Sequence, residues 1–527
     1  MLNIFIQYIV LIIIILFLVM LSEKLKIAYP VILVVGGLIL SVTRVIPAIN
    51  INPELIMVLF LPPLLYDAAW YTSWKEFWKW RRVISSFAFI MVILTSFMVA
   101  FVSSSIIPGF TLALGFLLGG IVSPPDAVSA TSILKYVKVP RRLSSIIEGE
   151  SLLNDASSLV IFRFALIAVS TGQFIFHEAA ISFVEVIIMG IVTGLVIGMI
   201  YYTILRWLPT NPNMDIVLTI TAPYIMYIVA EAFHFSGVLS VVSGGLFLSI
   251  RSQTILNYRS RLRGSNVWST IGFVLNGLVF MLIGLQLPMI VGQLEEVSLG
   301  TAIGYGLLIS FVLIITRIAS TLGSSVFTMF ISRYITTADS NPGWKGPLIF
   351  GWAGMRGVVS LAAALSIPVT LGNGTPFPHR NLILFITFTV ILVTLVVQGL
   401  TLPWVIKWIN MDDPDKYKSA DEQHLHLKKK LAIQGLRFLQ SQYPEKLESS
   451  PALQQLKVRF ERDQTMLDPE VRSDHEEFSR IYLELLNHQR YFLHQINKKD
   501  GVDDAVIRKY EELLDLEEEK IRHRSEE

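Results

Sequence analysis

The densest polar cluster in any apolar run of this sequence lies in the segment EGESLLNDASS (148–158). A helix turns by about 100° per residue, so Ser151 and Asp155 share one face of it. Glu150 and Asp155 diverge by about 140°, and we expect these two acids to have different roles. A proton and a hard cation compete for the same carboxylate oxygens. Asp155, beside Asn154, is therefore predicted to bind each of them in turn, and a structural carboxylate held by hydrogen bonds is the alternative.

Two further acidic residues could line an ion path. Asp126 directly follows Pro124 and Pro125. It is predicted either to contact the ion or to cap the helix that starts behind the prolines, and both roles are compatible. Asp67 lies in FLPPLLYDAAW (60–70). It either lines the substrate path or caps the end of its helix.

Basic residues inside apolar runs need partners, because an ionisable side chain within a membrane is costly unless it is paired or hydrated. Glu150 and Arg317 are predicted to form a buried structural ion pair. Arg356 lies among glycines in GWAGMRGVVS (351–360), where a cation would offset the C-terminal dipole of a half-helix. Arg163 is expected either to pair or to extend towards the membrane surface.

The elements that must position these residues are membrane-spanning helices. The 527 residues are 53% hydrophobic and 16% charged, with a mean hydropathy of +0.59, which is typical of a polytopic membrane protein. The sequence contains no cysteine, which excludes disulfides, thiolate metal sites and cysteine nucleophiles. About thirteen apolar runs are long enough to span a bilayer: 2–21, 28–43, 53–71, 83–106, 111–136, 143–170, 178–207, 214–234, 237–253, 267–291, 299–331, 346–371 and 381–409.

The distribution of lysine and arginine predicts the orientation of these spans. The connections after odd-numbered spans are basic, as with Lys75, Lys79, Arg81 and Arg82 after the third, whereas the even-numbered connections contribute few basic residues. By the positive-inside rule the N-terminus is predicted to lie outside the cell membrane and the C-terminus in the cytoplasm.

Thirteen spans divide into six, one linker span and six, so the second set would enter the membrane with opposite polarity, as in an inverted repeat. The fifth span of each half is then expected to be interrupted. GGIVSPPDAVSA (119–130) contains Pro124 and Pro125, which an ideal helix cannot accommodate together. The glycines of the segment 351–360 weaken the matching span of the second half. Broken backbone at membrane depth is tolerated where it lines a cavity.

The composition changes near residue 410. Residues 1–410 are predicted to form the transmembrane domain, and the charged, leucine-spaced residues 411–527 a helical cytoplasmic tail. This tail is either a solvated appendage that aids assembly or a regulatory or dimerising element.

With these residues in place, the sequence resembles the monovalent cation:proton antiporter-1 family, which includes the bacterial NhaP-type antiporters and the animal Na⁺/H⁺ exchangers. The resemblance covers about residues 1–410. It rests on FLPPLLYDAAW, SPPDAVSAT, EGESLLNDASSLV, Thr316 followed by Arg317, and WAGMRGVVSLAAALSIP.

The resemblance implies antiport of Na⁺ (or Li⁺ or K⁺) for H⁺, a role in pH homeostasis, and a homodimer in which the core helices move as an elevator. The pair Asn154 and Asp155 marks the electroneutral members of the family. The resemblance also implies a Glu150–Arg317 ion pair and cation contacts near Ser151, the Pro125–Asp126 backbone and Asp67. We expect membrane lipid as a partner, and neither a cofactor nor a nucleic acid.

Several other functions were weighed against Na⁺/H⁺ exchange. A K⁺/H⁺ antiporter of the same architecture is the strongest alternative, because selectivity depends on small differences in cavity size and oxygen number. A channel is less favoured, since no repeated carbonyl filter is present. An intramembrane aspartyl protease could use Asp126 and Asp155, but no Gly-x-Gly-Asp element accompanies them. A sensor centred on the tail is a further alternative. We expect no enzyme activity, and the sequence has no P-loop for ATP.

Overall fold

A computed structural model describes residues 2–43, 53–134, 137, 139–172, 176–292, 294, 297–334, 339, 342–371, 374–411, 420–465, 469–497 and 504–525. The chain divides into two compact units, Met1–Asp412 and Asp413–Glu527. The predicted domain boundary after residue 410 lies next to this division. Residues 412–419, and the last two residues of the predicted run 111–136, lie outside the described residues.

The first unit is helical, and two short π-helical segments, Ser86–Met91 and Thr394–Gln398, interrupt its α-helices. The α-helices of this unit are, in chain order, α1 (Leu2–Leu25), α2 (Tyr29–Val42), α3 (Pro53–Tyr71), α4 (Trp74–Ser85), α5 (Val92–Ile106), α6 (Leu112–Val122), α7 (Ala127–Leu134), α8 (Arg141–Thr171), α9 (Phe176–Trp207), α10 (Pro212–Ala232), α11 (Gly237–Ile250), α12 (Ser252–Ile255), α13 (Tyr258–Leu285), α14 (Leu287–Gly292), α15 (Leu299–Ile331), α16 (Lys345–Trp352), α17 (Val358–Leu365), α18 (Arg380–Val393) and α19 (Gly399–Ile409).

Many of these helices are suited to a bilayer. Among the described residues, 8 helical stretches are long and apolar enough to cross a membrane, and α2 and α11 are shorter apolar helices. Each of the predicted apolar runs overlaps at least one helix. Large apolar side chains remain exposed along α9 and α15, as expected for helices that face lipid. The all-helical membrane fold is thus confirmed, whereas the number of crossings and the inverted repeat stay predictions.

Both predicted interruptions are present. Helix α6 ends at Val122, and α7 begins at Ala127 behind the two prolines. Proline lacks the backbone donor and blocks the preceding turn, which explains why the helix stops there. In the second half, α16 ends at Trp352 and α17 begins at Val358 behind Gly357. Each interruption therefore leaves non-helical backbone inside the first unit.

The apolar core of the first unit consists of two clusters. The larger one gathers side chains from α2, α5, α6, α13 and α15 to α19, and the smaller one from α3 and α9 to α11. Helix α8 contributes to both, through Ile146 and Ile147 in the larger cluster and Leu152 and Ala156 in the smaller one. The middle of α8 consequently lies where the two clusters meet.

The second unit is built from helices that pair with one another. They are α20 (Ala420–Gln442), α21 (Pro444–Ser449), α22 (Pro451–Thr465), α23 (Pro469–Asn497) and α24 (Asp504–Ser525). Helix α20 packs on α22, and α23 packs on α24. Arg490 of α23 binds Asp515 at 2.7 Å and also pairs with Glu518. Hydrogen bonds from Arg522 and Arg490 hold the pKa of Glu518 below its usual range.

Candidate functional site

A cavity of about 380 Å³ lies where α2, α3, α8, α13 and α17 surround the start of α7. The predicted residues Asp67, Ser151 and Asp155 line it, and so do Pro124, Pro125 and Asp126 of the break that precedes α7. In the described part of the chain, no group of three or more His, Cys, Asp or Glu side chains could hold a metal ion.

Helix α8 supplies a ladder of polar groups to this cavity. Glu148, Ser151 and Asp155 line it together, because their spacing of three and four residues places them on one helix face. Asp155 is only 7% exposed. Nowhere in the ranges that the structure describes does a group donate a hydrogen bond to the Asp155 carboxylate. Its oxygens are left available to whatever enters the cavity.

Asp126 caps the second half-helix of the first break. Its carboxylate accepts hydrogen bonds from the backbone N–H groups of Val128 at 3.1 Å and Ser129 at 3.2 Å, and from the Ser129 hydroxyl at 2.5 Å. These donors belong to the first turn of α7, whose N–H groups have no partner within the helix. The capping alternative is thus realised in the geometry, while the same side chain also lines the cavity.

Two residues of α8 hold the break in place. The Ser151 hydroxyl accepts a hydrogen bond from Ala127 N at 3.2 Å, and the Asn154 amide donates to Pro125 O at 3.2 Å. Asn154 is fully buried, and it does not line the cavity. Its position differs from that of its neighbour Asp155: Asn154 faces the backbone of the break and Asp155 faces the cavity.

The two breaks contact each other directly. The backbone N–H of Asp126 donates to Met355 O at 2.7 Å. Arg356 donates from Nε to Val122 O at 2.7 Å and from Nη1 to Gly354 O. Val122 is the last residue of α6, so the guanidinium lies at a half-helix C-terminus, where a cation is favourable. The position of Arg356 is compatible with the dipole role suggested by the sequence, and that role stays a prediction.

Glu150 and Arg317 lie behind the cavity, outside its lining. The Arg317 guanidinium donates to both oxygens of Glu150, at 2.9 and 2.8 Å, and the two residues are 1% and 3% exposed. Arg317 also lies over the Phe350 ring, 5.1 Å from its centroid. This bidentate arrangement is the strong form of a charged hydrogen bond and fixes α8 to α15.

Asp67 enters the cavity from α3 and faces α13. A Cβ atom built on Gly272 would lie 2.9 Å from Asp67 Oδ2, so a larger residue there would require this carboxylate to shift. Asn276, one turn along α13, also lines the cavity and donates to Gly272 O at 2.8 Å. Asp67 Oδ1 and Asn276 Oδ1 are both buried without a partner among the described residues. These two oxygens can accept from a bound water or contact an ion.

Several residues of the site were missed in the sequence analysis. Glu148 carries a signal, because it precedes Asp155 by two helical turns on the same face. Asn276 and Tyr29 line the cavity from helices far away in the sequence, and no local pattern indicates them. Arg163 pairs with Glu231, whose other oxygen accepts from Gly237 N at 3.1 Å.

Broken helices that meet at their breaks, beside a cavity with unpaired carboxylate oxygens, define a secondary ion transporter. Comparison with known proteins specifies the family. The family model described as "Sodium/hydrogen exchanger, transmembrane" matches residues 10–408. The chain therefore belongs to the sodium/hydrogen exchanger family. Its relatives are transporters and not enzymes, which sets the protease alternative aside.

Individual relatives agree with this assignment. The chain is 31% identical over 514 residues to an uncharacterized Na⁺/H⁺ exchanger of Mycobacterium tuberculosis, covering 94% of this chain and 92% of that protein. It is 36% identical over 366 residues to the sodium, potassium, lithium and rubidium/H⁺ antiporter of Bacillus subtilis, covering 67% of this chain and 54% of that relative, about half its length. The solved structure of the sodium proton antiporter MjNhaP1 from Methanocaldococcus jannaschii has the same fold, with a TM-score of 0.59 at 19% identity over 76% of this chain and 97% of that one.

Proposed function

We propose that this chain exchanges Na⁺ (or Li⁺) for H⁺ across the cell membrane, with Asp155 as the shared cation and proton site. The observation that carries the proposal is the Asp155 carboxylate itself: it is almost fully buried, it lines the cavity, and the described residues offer it no hydrogen-bond donor. A buried carboxylate without a protein partner needs either a proton or a cation. It cannot hold both at once.

The neighbouring groups support this role. Ser151 and Asp155 share the cavity face of α8, and the start of α17 approaches from the other side. Hydroxyl and carboxylate oxygens are ligands that suit hard cations. Asp126 and Asp67 supply further oxygens along the same cavity. In the proposed cycle, Asp155 carries a cation in one direction and a proton in the other, by alternating access, with one charge exchanged for one.

The rest of the proposal concerns topology and assembly. The N-terminus lies outside and the second unit is a cytoplasmic tail, as the basic connections indicate. The chain acts as a homodimer in which the helices around the two breaks move together. The contact between the breaks supports this motion, since the backbone bond from Asp126 N to Met355 O and the bond from the Arg356 side chain to Val122 O join the two halves.

The experiment is collapse of a respiration-generated ΔpH in everted vesicles, on adding Na⁺, Li⁺ and K⁺ in turn as chloride salts. We expect rapid collapse with Na⁺ and Li⁺, and none in vesicles that carry Asp155→Asn. A response to K⁺ alone would identify a K⁺/H⁺ antiporter instead and would overturn the proposed substrate. Absence of any cation response in vesicles with normal protein levels would overturn antiport.

A further inference from the structure

A second cavity, separate from the ion site, lies at one end of the first unit. It has a volume of about 620 Å³, against about 380 Å³ for the ion site, and the two share no lining residue. Four helices line it near their ends: α4 with the π-helical segment behind it, the start of α8, the last turns of α15 and the start of α16. Because these are helix ends, the cavity is a cleft at the rim of the helix bundle.

The lining of this cleft includes a cluster of basic residues. Lys79, Arg81, Arg82 and Arg142 line it, and Asp339 is the acidic residue among its lining. Arg142 donates to Asp339 at 2.8 Å. Among the described residues of this lining, positive side chains therefore outnumber negative ones by three, and a cluster of this sign attracts an anion.

Apolar side chains also line the cleft. Its wall includes Phe87, Leu143, Ile146, Phe327 and Phe350. A soluble anion such as phosphate gains no favourable contact from these apolar side chains. A ligand that contacts both the basic and the apolar side chains has a negatively charged head and a hydrocarbon tail.

The level of the cleft in the membrane agrees with such a ligand. Helix α4 continues through the π-helical segment into α5, so that Trp74–Ile106 is one helical stretch of 33 residues that is long and apolar enough to cross a membrane, and Lys79, Arg81 and Arg82 lie in its first turns. Trp74 and Trp78 are exposed on the same turns, and the Arg81 guanidinium lies 4.5 Å from the Trp78 ring centroid. Exposed tryptophan beside arginine and lysine is typical of the headgroup region of a bilayer.

We propose that this cleft binds one anionic phospholipid, with its phosphate at the basic side chains and an acyl chain along Phe87, Phe327 and Phe350. Basic pockets between transmembrane helices bind such headgroups. The occupant is held at the end of the bundle that carries the basic connections.

The bound lipid would also contact the helices that hold the ion site. Phe350 lines the cleft, packs on Phe87 with ring centroids 4.7 Å apart, and lies against Arg317. Arg317 pairs with Glu150 on α8, the helix that carries Asp155. Occupation of the cleft therefore stabilises the packing of α16 on α8 and α15.

The test is lipid retention by the purified full-length protein in native mass spectrometry, with phosphatidylglycerol and phosphatidylcholine offered at equal concentration. We expect the wild-type protein to retain phosphatidylglycerol preferentially. Arg81→Gln combined with Arg82→Gln should weaken this binding roughly tenfold or more, because each basic residue near a headgroup contributes substantially. The matched control is Arg259→Gln with Arg263→Gln, which removes two exposed charges from α13 outside the cleft and should keep the preference.

A second variant tests the apolar side chains of the lining without changing charge. Ser324→Trp narrows the cleft from α15, and we expect it to lose phosphatidylglycerol as the arginine variant does. Melting temperatures in lipid-free detergent identify any variant that fails to fold, and the comparison then rests on the other one. Equal retention by the cleft variant and the α13 control would overturn the proposal. So would displacement of the lipid by millimolar inorganic phosphate, which would make the cleft a site for a soluble anion.

Discussion

The backbone N–H of Asp126 donates a hydrogen bond of 2.7 Å to the backbone oxygen of Met355. These residues belong to the two breaks, which lie more than two hundred positions apart in the sequence. Non-helical backbone cannot be left unsatisfied at membrane depth, because each exposed polar group is costly there. The second break supplies what the first one lacks: Met355 provides an acceptor for Asp126 N, and Arg356 Nε provides a donor for the C-terminus of α6.

Replacing Arg356 by lysine tests whether its hydrogen bonds to the two breaks are needed. Lysine keeps the positive charge but loses the planar fork that reaches Val122 O and Gly354 O together. Leaving a buried carbonyl without its donor costs about 1 to 3 kcal/mol. We expect Arg356→Lys to lower the melting temperature and to reduce exchange strongly. Both are measured on purified protein, by thermal unfolding and by cation-driven proton flux in proteoliposomes.

The control for that substitution is Arg263→Lys, at an exposed position of α13, which should change neither quantity. If Arg356→Lys behaved like this control, a positive charge would be all that this position requires, and the hydrogen bonds to the half-helix would be dispensable.

Gly357 provides a second test of the contact between the two breaks. A Cβ atom built at this position would lie 2.5 Å from Asp126 Oδ2. The carboxylate could move only by giving up hydrogen bonds from the first turn of α7, each worth about 1.5 to 3 kcal/mol when the acceptor is charged. We expect Gly357→Ala to reduce exchange by roughly tenfold or more while the protein still reaches the membrane.

Gly323→Ala is the matched control for this glycine, since the structure describes no atom within 4 Å of the added carbon on α15. Alanine should be neutral or slightly stabilising there, because it favours helix more than glycine does. Full activity in Gly357→Ala would mean that Asp126 does not need its present position.

Glu150 and Arg317 are expected to stabilise the bundle as a pair. Removing one partner leaves the other charged and buried, which costs about 3 to 5 kcal/mol. Glu150→Ala and Arg317→Ala should therefore each lower the melting temperature strongly. The double alanine variant should lose less than the sum of the two, and the reversed pair should recover part of the loss. Additive losses in this double-mutant cycle would contradict the direct contact that the geometry shows.

The sequence predicts the parts of this site that depend on local spacing. Pro124 and Pro125 indicate a break, and the four-residue interval places Ser151 and Asp155 on one face. The partners of these groups depend on which helices pack together, and local spacing carries no such information. Asn276 of α13 and Asp67 of α3, for example, line the same cavity because these two helices pack together. Glu231 pairs with Arg163 across helices for the same reason.

Asp155→Asn should abolish exchange while keeping normal expression, because the amide has nearly the same shape but can neither bind a proton nor balance a cation. The assay is ΔpH collapse by Na⁺ in everted vesicles, with protein levels measured by immunoblot. Asp215→Asn is the control: Asp215 is also buried in the first unit, where it accepts from the Ser260 hydroxyl at 2.6 Å, but it lies outside the cavity. Proton movement that still depends on Na⁺ in Asp155→Asn would remove this residue from the site.

The last prediction is electroneutral exchange, one proton for one monovalent cation. Asn154 cannot ionise, so the Asn–Asp pair offers one carboxylate that can be neutralised in turn by a proton or by Na⁺. The loaded carrier then crosses with the same net charge in both directions, and membrane potential leaves the equilibrium unchanged. A moving unit charge would instead couple to about 2.3 kcal/mol per 100 mV. The measurement is Na⁺-driven proton flux in proteoliposomes, with K⁺ and valinomycin setting the voltage.

Competition between Na⁺ and protons at one carboxylate also predicts how exchange depends on pH. The apparent affinity for Na⁺ must weaken as pH falls, since protons occupy the oxygens that the cation needs, and activity must also fall at high pH, where few protons are available for exchange. Activity should therefore be bell-shaped in pH without a separate sensor. Asp67, Asp126 and Glu148 share the cavity, and any of them could carry a second charge. An equilibrium that shifts with imposed voltage would refute one-for-one exchange, and repeating the measurement in Asp67→Asn, Asp126→Asn and Glu148→Gln would identify the carboxylate responsible.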